Sequence, residues 1–149
     1  MSRRFSVRPV RQRDLPRILK IEAASFGPDA YDRKLFAEYA RISPRLFLVA
    51  EARRVCGYSI ACILAAGARA ELVSIAIDPA FLGSGAAAAL MESTFRRLRL
   101  RKIARITLIV KITNRRARRF YENFGFRKLR RAPAYYEDGA DGILMAKDL

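Results

Sequence analysis

The chain has 149 residues, of which 52% are hydrophobic, and its mean hydropathy is −0.03. We expect a single domain over residues 1–149 and no membrane segment, because no apolar run approaches the roughly 20 residues that a membrane helix needs. Histidine is absent. This excludes imidazole catalysis and most zinc sites, so we expect no bound metal.

The charge is strongly positive, with 30 lysines and arginines against 14 aspartates and glutamates, a formal net charge of +16. Such a field favours polyanions, so contact with nucleic acid or the ribosome is one interpretation. The other is that a GC-rich genome has placed arginines on solvated faces. No apolar segment of signal-peptide length begins the chain, so we expect a cytoplasmic protein. Cys56 and Cys62 lack metal-like spacing and are expected to be reduced structural thiols.

Hydrophobic periodicity and turn residues predict seven strands and four helices in a mixed α/β order. Asp14 is expected to cap the first helix, with Pro16 in the first turn, where a missing N–H costs little. The predicted strands span residues 5–10, 47–51, 55–64, 70–77, 103–112, 126–130 and 143–147. The predicted helices span residues 14–26, 32–42, 86–100 and 114–124.

The most informative stretch is the strand Leu72–Ile77 together with the turn and helix that follow it. Asp78-Pro79 ends the strand, and Gly83-Ser84-Gly85 leads into a run of alanines that favours a helix. A helix N-terminus behind a glycine turn presents several backbone N–H groups to one anion, phosphate above all. We therefore predict a pyrophosphate site, although a plain tight turn is the more frequent explanation of such a pattern.

A second stretch begins at Asn114, where a predicted strand gives way to a helix. The Asn114 side chain is placed either to cap that helix or to bind a ligand. Ala117, Phe120, Tyr121 and Phe124 share one helical face. Tyr121 is either a core aromatic residue whose hydroxyl reaches the rim or a functional group.

Three segments together resemble the GNAT family of acetyl-CoA-dependent N-acetyltransferases: Glu71-Leu-Val-Ser-Ile-Ala-Ile-Asp-Pro, Gly83-Ser-Gly-Ala-Ala, and Asn114-x6-Tyr121-Glu-x-Phe-Gly-Phe126. The segment at residues 130–147 resembles the branch that acetylates protein N-termini, which includes the ribosomal-protein-alanine acetyltransferases. The resemblance implies an α/β (α+β mixed) GNAT fold, with a central, splayed mixed sheet of six to seven strands flanked by about four helices.

The resemblance also implies the position of acetyl-CoA, whose pantetheine arm would bond the backbone of β-strand residues and whose pyrophosphate would accept from N–H groups of the glycine turn. The implied cofactor-binding residues are Ile75, Ala76, Ile77, Leu82, Gly83, Ser84, Gly85, Ala86, Ala87, Asn114, Ala117 and Tyr121.

Two residues depart from the family pattern. Leu82 stands where the family loop usually has Arg or Gln, so we expect weaker cofactor binding, with Arg115 or Arg118 as substitutes for the missing charge. Ile109 stands where the ribosomal-alanine enzymes have a general-base glutamate. Glu71 is our replacement base, as in other GNAT members, although a solvated charge or a pair with Arg69 would explain it too.

In the same resemblance Tyr121 donates a proton to the leaving thiolate of coenzyme A. Tyr135 and Tyr136 contact the acceptor peptide, and Phe26 and Tyr31 lie on the loop that forms the opposite wall. The acidic residues Glu137, Asp138 and Asp141 either attract a cationic amine or form a solvated turn.

We therefore predict an enzyme that acetylates a primary amine by direct attack, most simply the N-terminal α-amine of a protein or peptide, a ribosomal protein among the candidates. A small-molecule or polyamine acetyltransferase is one alternative. A catalytically decayed GNAT-fold binding module with a polyanionic partner is the other. The oligomeric state stays open.

Overall fold

The computed structural model describes residues 5–64 and 67–149. Its elements are β1 Ser6–Pro9, α1 Leu15–Phe26, α2 Arg33–Ile42, β2 Phe47–Glu51, β3 Val55–Ile63, β4 Arg69–Ile77, α3 Ala86–Leu100, β5 Arg105–Lys111, α4 Arg115–Asn123, β6 Arg127–Ala132 and β7 Gly142–Asp148. The predicted elements are all found, with ends that move by at most two residues. None of the described helices is long and apolar enough to cross a membrane.

The strands form one mixed sheet in the order β1-β2-β3-β4-β5-β7-β6. Neighbours β1 and β2, β2 and β3, β5 and β7, and β6 and β7 are antiparallel, whereas β4 and β5 are parallel. The parallel ladder joins only Arg69–Glu71 to the stretch from Arg105 to Thr107. The predicted α/β fold, with a mixed sheet of six to seven strands and about four helices, is confirmed.

The chain divides into two compact units, each of which has its own core. We call the segments Met1–Cys62 and Val73–Arg97 the N-terminal unit, and the segments Ile63–Leu72 and Leu98–Leu149 the C-terminal unit. A single domain over residues 1–149 stays a prediction.

The core of the N-terminal unit packs α1 and α2 against β2, β3 and the end of β4. Its buried members include Leu15, Ile18, Ile21, Phe36, Phe47, Val49, Val55, Tyr58, Ile60 and Ala76. Gly57 is required by close approach, because a Cβ built there would lie 2.6 Å from Ile77 Cδ1 and 3.0 Å from the Ala76 oxygen. No other residue would let β4 lie so close to β3 without a shift.

The C-terminal unit is built around β5 and β7. Along β5, Ile106, Leu108 and Val110 are buried, and the residues between them are half-buried. This period of two places one face of the strand in the core and leaves Ile109 on the other face.

The expected cap at Asp14 is wrong, although α1 does begin at the next residue, with Pro16 in its first turn. The Asp14 carboxylate makes no cap to α1. It accepts hydrogen bonds from the Arg8 guanidinium at 2.9 and 3.0 Å and from the Arg11 N–H at 2.7 Å. Burial raises the pKa of Asp14, but these bonds outweigh burial and hold the pKa below its usual range.

Candidate active site

The segment that leaves β4 is fixed by Asp78. Its N–H donates to the Cys56 oxygen at 2.7 Å, its carboxylate accepts from the Ala80 N–H at 3.0 Å, and it pairs with the Arg17 guanidinium. Burial raises the pKa of Asp78, but the bonds from Ala80 and Arg17 outweigh burial and hold the pKa low. A charged anchor thus sets where the chain enters the glycine turn.

The glycine turn before α3 presents backbone donors that the protein itself leaves unused. Gly83 and Gly85 have φ of 77° and 96°, a region that other L-residues adopt only with strain. Within the described part of the chain, no group accepts a hydrogen bond from the N–H of Gly83, Gly85 or Ala87. Unpaired N–H groups at a helix start fit a pyrophosphate, so the residues present suit the cofactor that the resemblance implies.

The remaining residues of the turn support its shape. The Leu82 and Ser84 N–H groups donate within the turn, to Pro79 and Phe81, and the Ala86 N–H donates to Ser84 Oγ at 3.4 Å. The Leu82 side chain is 57% exposed. Because the unused donors belong to the backbone, Leu82 in place of a polar residue leaves them in position.

Among the described residues, the second half of β4 makes no ladder with β5, and this backbone edge could bind an extended ligand. The ladder with β5 ends at Glu71, six residues before the end of β4. Ile75 and Ala76 are buried and Ile77 is half-buried, so this stretch packs into the core. An unpaired strand edge offers the hydrogen bonds that a pantetheine arm needs.

Glu71 lies on β4, in register with Thr107 of β5. It is half-buried and alternates with Val73, Ile75 and Ile77, as the sequence predicted. Among residues 5–64 and 67–149, no ion pair joins Glu71 to Arg69. The carboxylate is thus placed as a half-buried group on a strand face.

The start of α4 is capped by Asn114, whose side chain accepts from the Ala117 N–H at 3.0 Å. This confirms the capping interpretation and leaves the amide nitrogen as a donor for a ligand. Farther along α4, the half-buried Tyr121 ring packs edge-on against Phe120 and Phe126, with centroids 5.3 and 5.8 Å away. The Tyr121 ring is therefore packed between two aromatic side chains.

Ile109 and Tyr135 meet over Gly142. A Cβ built on Gly142 would lie 2.8 Å from Ile109 Cγ2 and 3.4 Å from Tyr135 Cβ. Ile109, which stands where the ribosomal-alanine enzymes have a base, is therefore an apolar group next to Tyr135, a residue predicted to contact the acceptor peptide. Tyr135 is 54% exposed and packs edge-on against Tyr136, 5.0 Å between centroids.

The acidic residues between β6 and β7 stabilise the turn. Asp138 pairs with Lys111 at 2.8 Å. Asp141 pairs with Arg131 and accepts from the Ala134 N–H at 2.7 Å. These bonds lower the pKa of Asp141, first through the Ala134 N–H and then through Arg131. The interpretation as a structured turn is therefore favoured over an amine-attracting cluster.

Phe26 and Tyr31, which are predicted to form one wall of the acceptor site, lie at the two ends of the loop between α1 and α2. Their exposed fractions are 38% and 37%. Sequence reasoning missed what holds this loop. Glu22 is 1% exposed and accepts from the Tyr31 N–H at 2.9 Å. The only signal was one carboxylate in an otherwise apolar stretch of helix.

The two units divide the predicted site residues. The N-terminal unit holds Phe26, Tyr31, Ile75, Ala76, Ile77, Leu82, Gly83, Ser84, Gly85, Ala86 and Ala87; the C-terminal unit holds Glu71, Asn114, Ala117, Tyr121, Tyr135 and Tyr136. Their roles stay predictions. Cys56 and Cys62 are free thiols, and among the described residues no cluster of cysteine and carboxylate side chains is arranged to hold a metal ion.

Comparison with known proteins supplies the family. Residues 14–126 match the model of the Acetyltransferase (GNAT) family. An N-alpha-acetyltransferase from Saccharolobus solfataricus is 29% identical over 159 residues, covering 99% of this chain and 95% of the relative. The structure of Ard1 from Thermoplasma volcanium has a TM-score of 0.90 at 24% identity over 99% of both chains. The ribosomal-protein-S18-alanine N-acetyltransferase from Escherichia coli has a TM-score of 0.81 at 25% identity, covering 97% of this chain and 93% of that chain.

Proposed function

Since this chain belongs to the GNAT acetyltransferase family, we propose that it transfers the acetyl group of acetyl-CoA to the α-amine at the N-terminus of a protein or peptide. Family membership confirms the resemblance and the prediction of an acetyl-transferring enzyme with acetyl-CoA as its cosubstrate. The observation that carries the proposal is the glycine turn, where the N–H groups of Gly83, Gly85 and Ala87 lack acceptors within the described residues.

The cofactor lies along β4 and the turn. The backbone of Ile75 to Ile77 binds the pantetheine arm as an added strand, and the turn from Leu82 to Ala87 binds the pyrophosphate. Asn114, Ala117 and Tyr121 on α4, in the C-terminal unit, are further predicted contacts of the cofactor. The free edge of β4 and the capped start of α4 support this assignment.

The reaction removes two protons from the acceptor ammonium, adds one to the leaving thiolate and releases the other to solvent. Acetyl-CoA supplies the acetyl group as a thioester. Glu71 takes the proton from the ammonium, directly or through water, so that the amine nitrogen forms a bond to the acetyl carbon. The carbon–sulfur bond breaks as Tyr121 donates its hydroxyl proton to the thiolate, and the second proton of the new amide nitrogen then passes through water to the tyrosinate and restores its hydroxyl.

The acceptor is held by aromatic residues. Tyr135 and Tyr136 form one contact surface and Phe26 and Tyr31 form another, and all four are exposed or half-buried. The likeness to an N-alpha-acetyltransferase and to a ribosomal-protein-alanine enzyme supports an α-amine, with a ribosomal protein as a candidate acceptor. We place the reaction in the cytoplasm.

A rate comparison tests the acceptor class. Peptides with a free N-terminus are compared with the same peptides blocked at the N-terminus and with spermidine, in the presence of acetyl-CoA. We expect turnover of the free peptides alone. Faster turnover of spermidine would favour the polyamine alternative, and binding of acetyl-CoA without any turnover would favour a decayed module.

A second proposal concerns a polyanionic partner, the ribosome or another RNA. On α4 and β6, five exposed cations have no carboxylate partner among the described residues: Arg115, Arg116, Arg119, Lys128 and Arg130. Replacing Arg115, Arg116 and Arg119 of α4 by alanine should weaken binding of a ribosomal RNA fragment and reduce its salt slope by about 1 per lost phosphate contact. Unchanged anisotropy titrations would contradict this contact.

A further inference from the structure

A buried polar chain in the N-terminal unit connects the α1–α2 loop to β4. Glu22 accepts from the Tyr31 N–H with one carboxylate oxygen, at 2.9 Å, and from the Tyr58 hydroxyl with the other. The Tyr58 oxygen lies 3.0 Å from Ser74 Oγ on β4. Glu22 is 1% exposed and Tyr58 is fully buried, so water does not compete for these bonds.

The chain joins two parts of the molecule that the proposed function uses. Tyr31 ends the loop that begins at Phe26, and its ring packs edge-on against Phe36 with centroids 6.0 Å apart. Ser74 directly precedes the stretch from Ile75 to Ile77. A loop anchored at one buried backbone N–H has fewer conformations than one held by surface contacts alone.

Burying the Glu22 carboxylate costs free energy unless both of its oxygens accept hydrogen bonds. Burial raises the pKa of Glu22, and this effect is larger than the lowering of the pKa by the hydrogen bonds from Tyr31 and Tyr58. Burial and then the neighbouring carboxylate raise the pKa of Tyr58 as well. An apolar side chain would fill the same space, but it would leave the Tyr31 N–H without an acceptor.

We propose that Glu22 is a positioning residue for the acceptor: it fixes the loop from Phe26 to Tyr31 in the position that meets the peptide, and through Tyr58 and Ser74 it ties that loop to β4. This inference rests on the proposed function, in which Phe26 and Tyr31 form one wall of the acceptor site. Glu22 touches neither the acceptor nor the cofactor and acts through the Tyr31 backbone.

Two variants at Glu22 distinguish the loss of its hydrogen bonds from the loss of its side-chain volume. Glu22→Ala removes both acceptors and should raise the peptide KM about tenfold while the Kd of acetyl-CoA changes less than about twofold. Glu22→Gln should restore a near-normal KM. Its amide oxygen accepts from Tyr31 and its NH2 group donates to Tyr58, whose hydroxyl then donates to Ser74.

Tyr58→Phe and Ser74→Ala break the chain farther from the loop and should raise the peptide KM by about threefold, with kcat nearly unchanged. Asp14→Asn is the matched control, because it removes a buried carboxylate charge that bonds Arg8 and Arg11 instead of the loop. It should lower the melting temperature without changing the peptide KM.

Hydrogen exchange at the Tyr31 amide supplies a readout without substrate, and exchange should be faster in Glu22→Ala than in the wild type and in Glu22→Gln. Faster exchange with an unchanged peptide KM would overturn the positioning role, and so would unchanged exchange. A wild-type protein that binds acetyl-CoA and acetylates no peptide would overturn the proposed function, and with it the acceptor role of the loop. Exchange would still report whether Glu22 holds Tyr31.

Discussion

The glycine turn before α3 and the patch around Ile109 depart from the family pattern in different ways. In the turn, Leu82 replaces a polar side chain, but the donors offered to an anion are backbone N–H groups, which stay in place. In the patch, Ile109 replaces a carboxylate, and only a side chain can hold a proton there. A site made of backbone tolerates substitution at its side chains, whereas a site made of side chains must find its missing group elsewhere.

The largest effect should come from Glu71, the residue that we assign to that missing group. Glu71→Gln should lower kcat about 100-fold in peptide acetylation, because a positioned base contributes that order of rate. The exposed Glu92→Gln on α3 is the control and should be unchanged.

Glu71→Gln combined with Ile109→Glu sharpens the comparison further. A partial return of kcat would mean that either strand can supply the base. Activity that is unaffected by Glu71→Gln alone would remove the base assignment.

The next effect concerns the turn itself. Gly85→Val places a β-branched residue at φ of 96° and disturbs the unused N–H donors, so the Kd of acetyl-CoA measured by calorimetry should rise about 50-fold. Leu82→Ala should change the same Kd less than about threefold, since this exposed side chain is not a donor. A larger loss from Leu82→Ala than from Gly85→Val would reverse the comparison.

Tyr121→Phe should have a smaller effect on rate, about tenfold and in kcat more than in KM. The substitution removes the proton donor and keeps the ring contacts with Phe120 and Phe126. A rise in KM with an unchanged kcat would show that the hydroxyl binds the substrate and donates no proton.

The smallest effect concerns Asp78, which precedes the glycine turn, and the dependence of the free energy of unfolding on acid pH. The pKa of Asp78 is lower in the folded chain than the value of about 3.9 that an unfolded aspartate has, so its ionised form stabilises the fold above that value. We expect Asp78→Asn to lower the free energy of unfolding by about 1–2 kcal/mol at pH 7. The difference from the wild type should shrink as the pH falls from about 4 through the folded pKa. A difference that is constant from pH 7 to pH 3 would contradict the charged anchor.

The sequence predicts the backbone part of the molecule better than its buried polar part. Gly83 and Gly85 carry a local signal because few residues adopt positive φ, and Asn114 carries one because caps bond amides three residues ahead. Glu22 has no such signal, since its partner Tyr58 lies 36 residues away in the chain.

Asp14 failed as a predicted cap for the same reason. A strand residue six positions earlier, Arg8, offers its carboxylate a charged donor, and that contact outcompetes the local one. In both cases a partner on a strand, Arg8 on β1 or Tyr58 on β3, binds the carboxylate, and composition and periodicity do not show such pairs.

The central claim is that the acceptor is an N-terminal α-amine. The most direct measurement uses one peptide that carries a free N-terminus and an internal lysine, incubated with the protein and acetyl-CoA and sequenced by fragmentation mass spectrometry. We predict a single acetyl group on the N-terminal nitrogen, with the lysine unmodified. Acetylation of the lysine in preference to the N-terminus, or of neither nitrogen, would contradict the account.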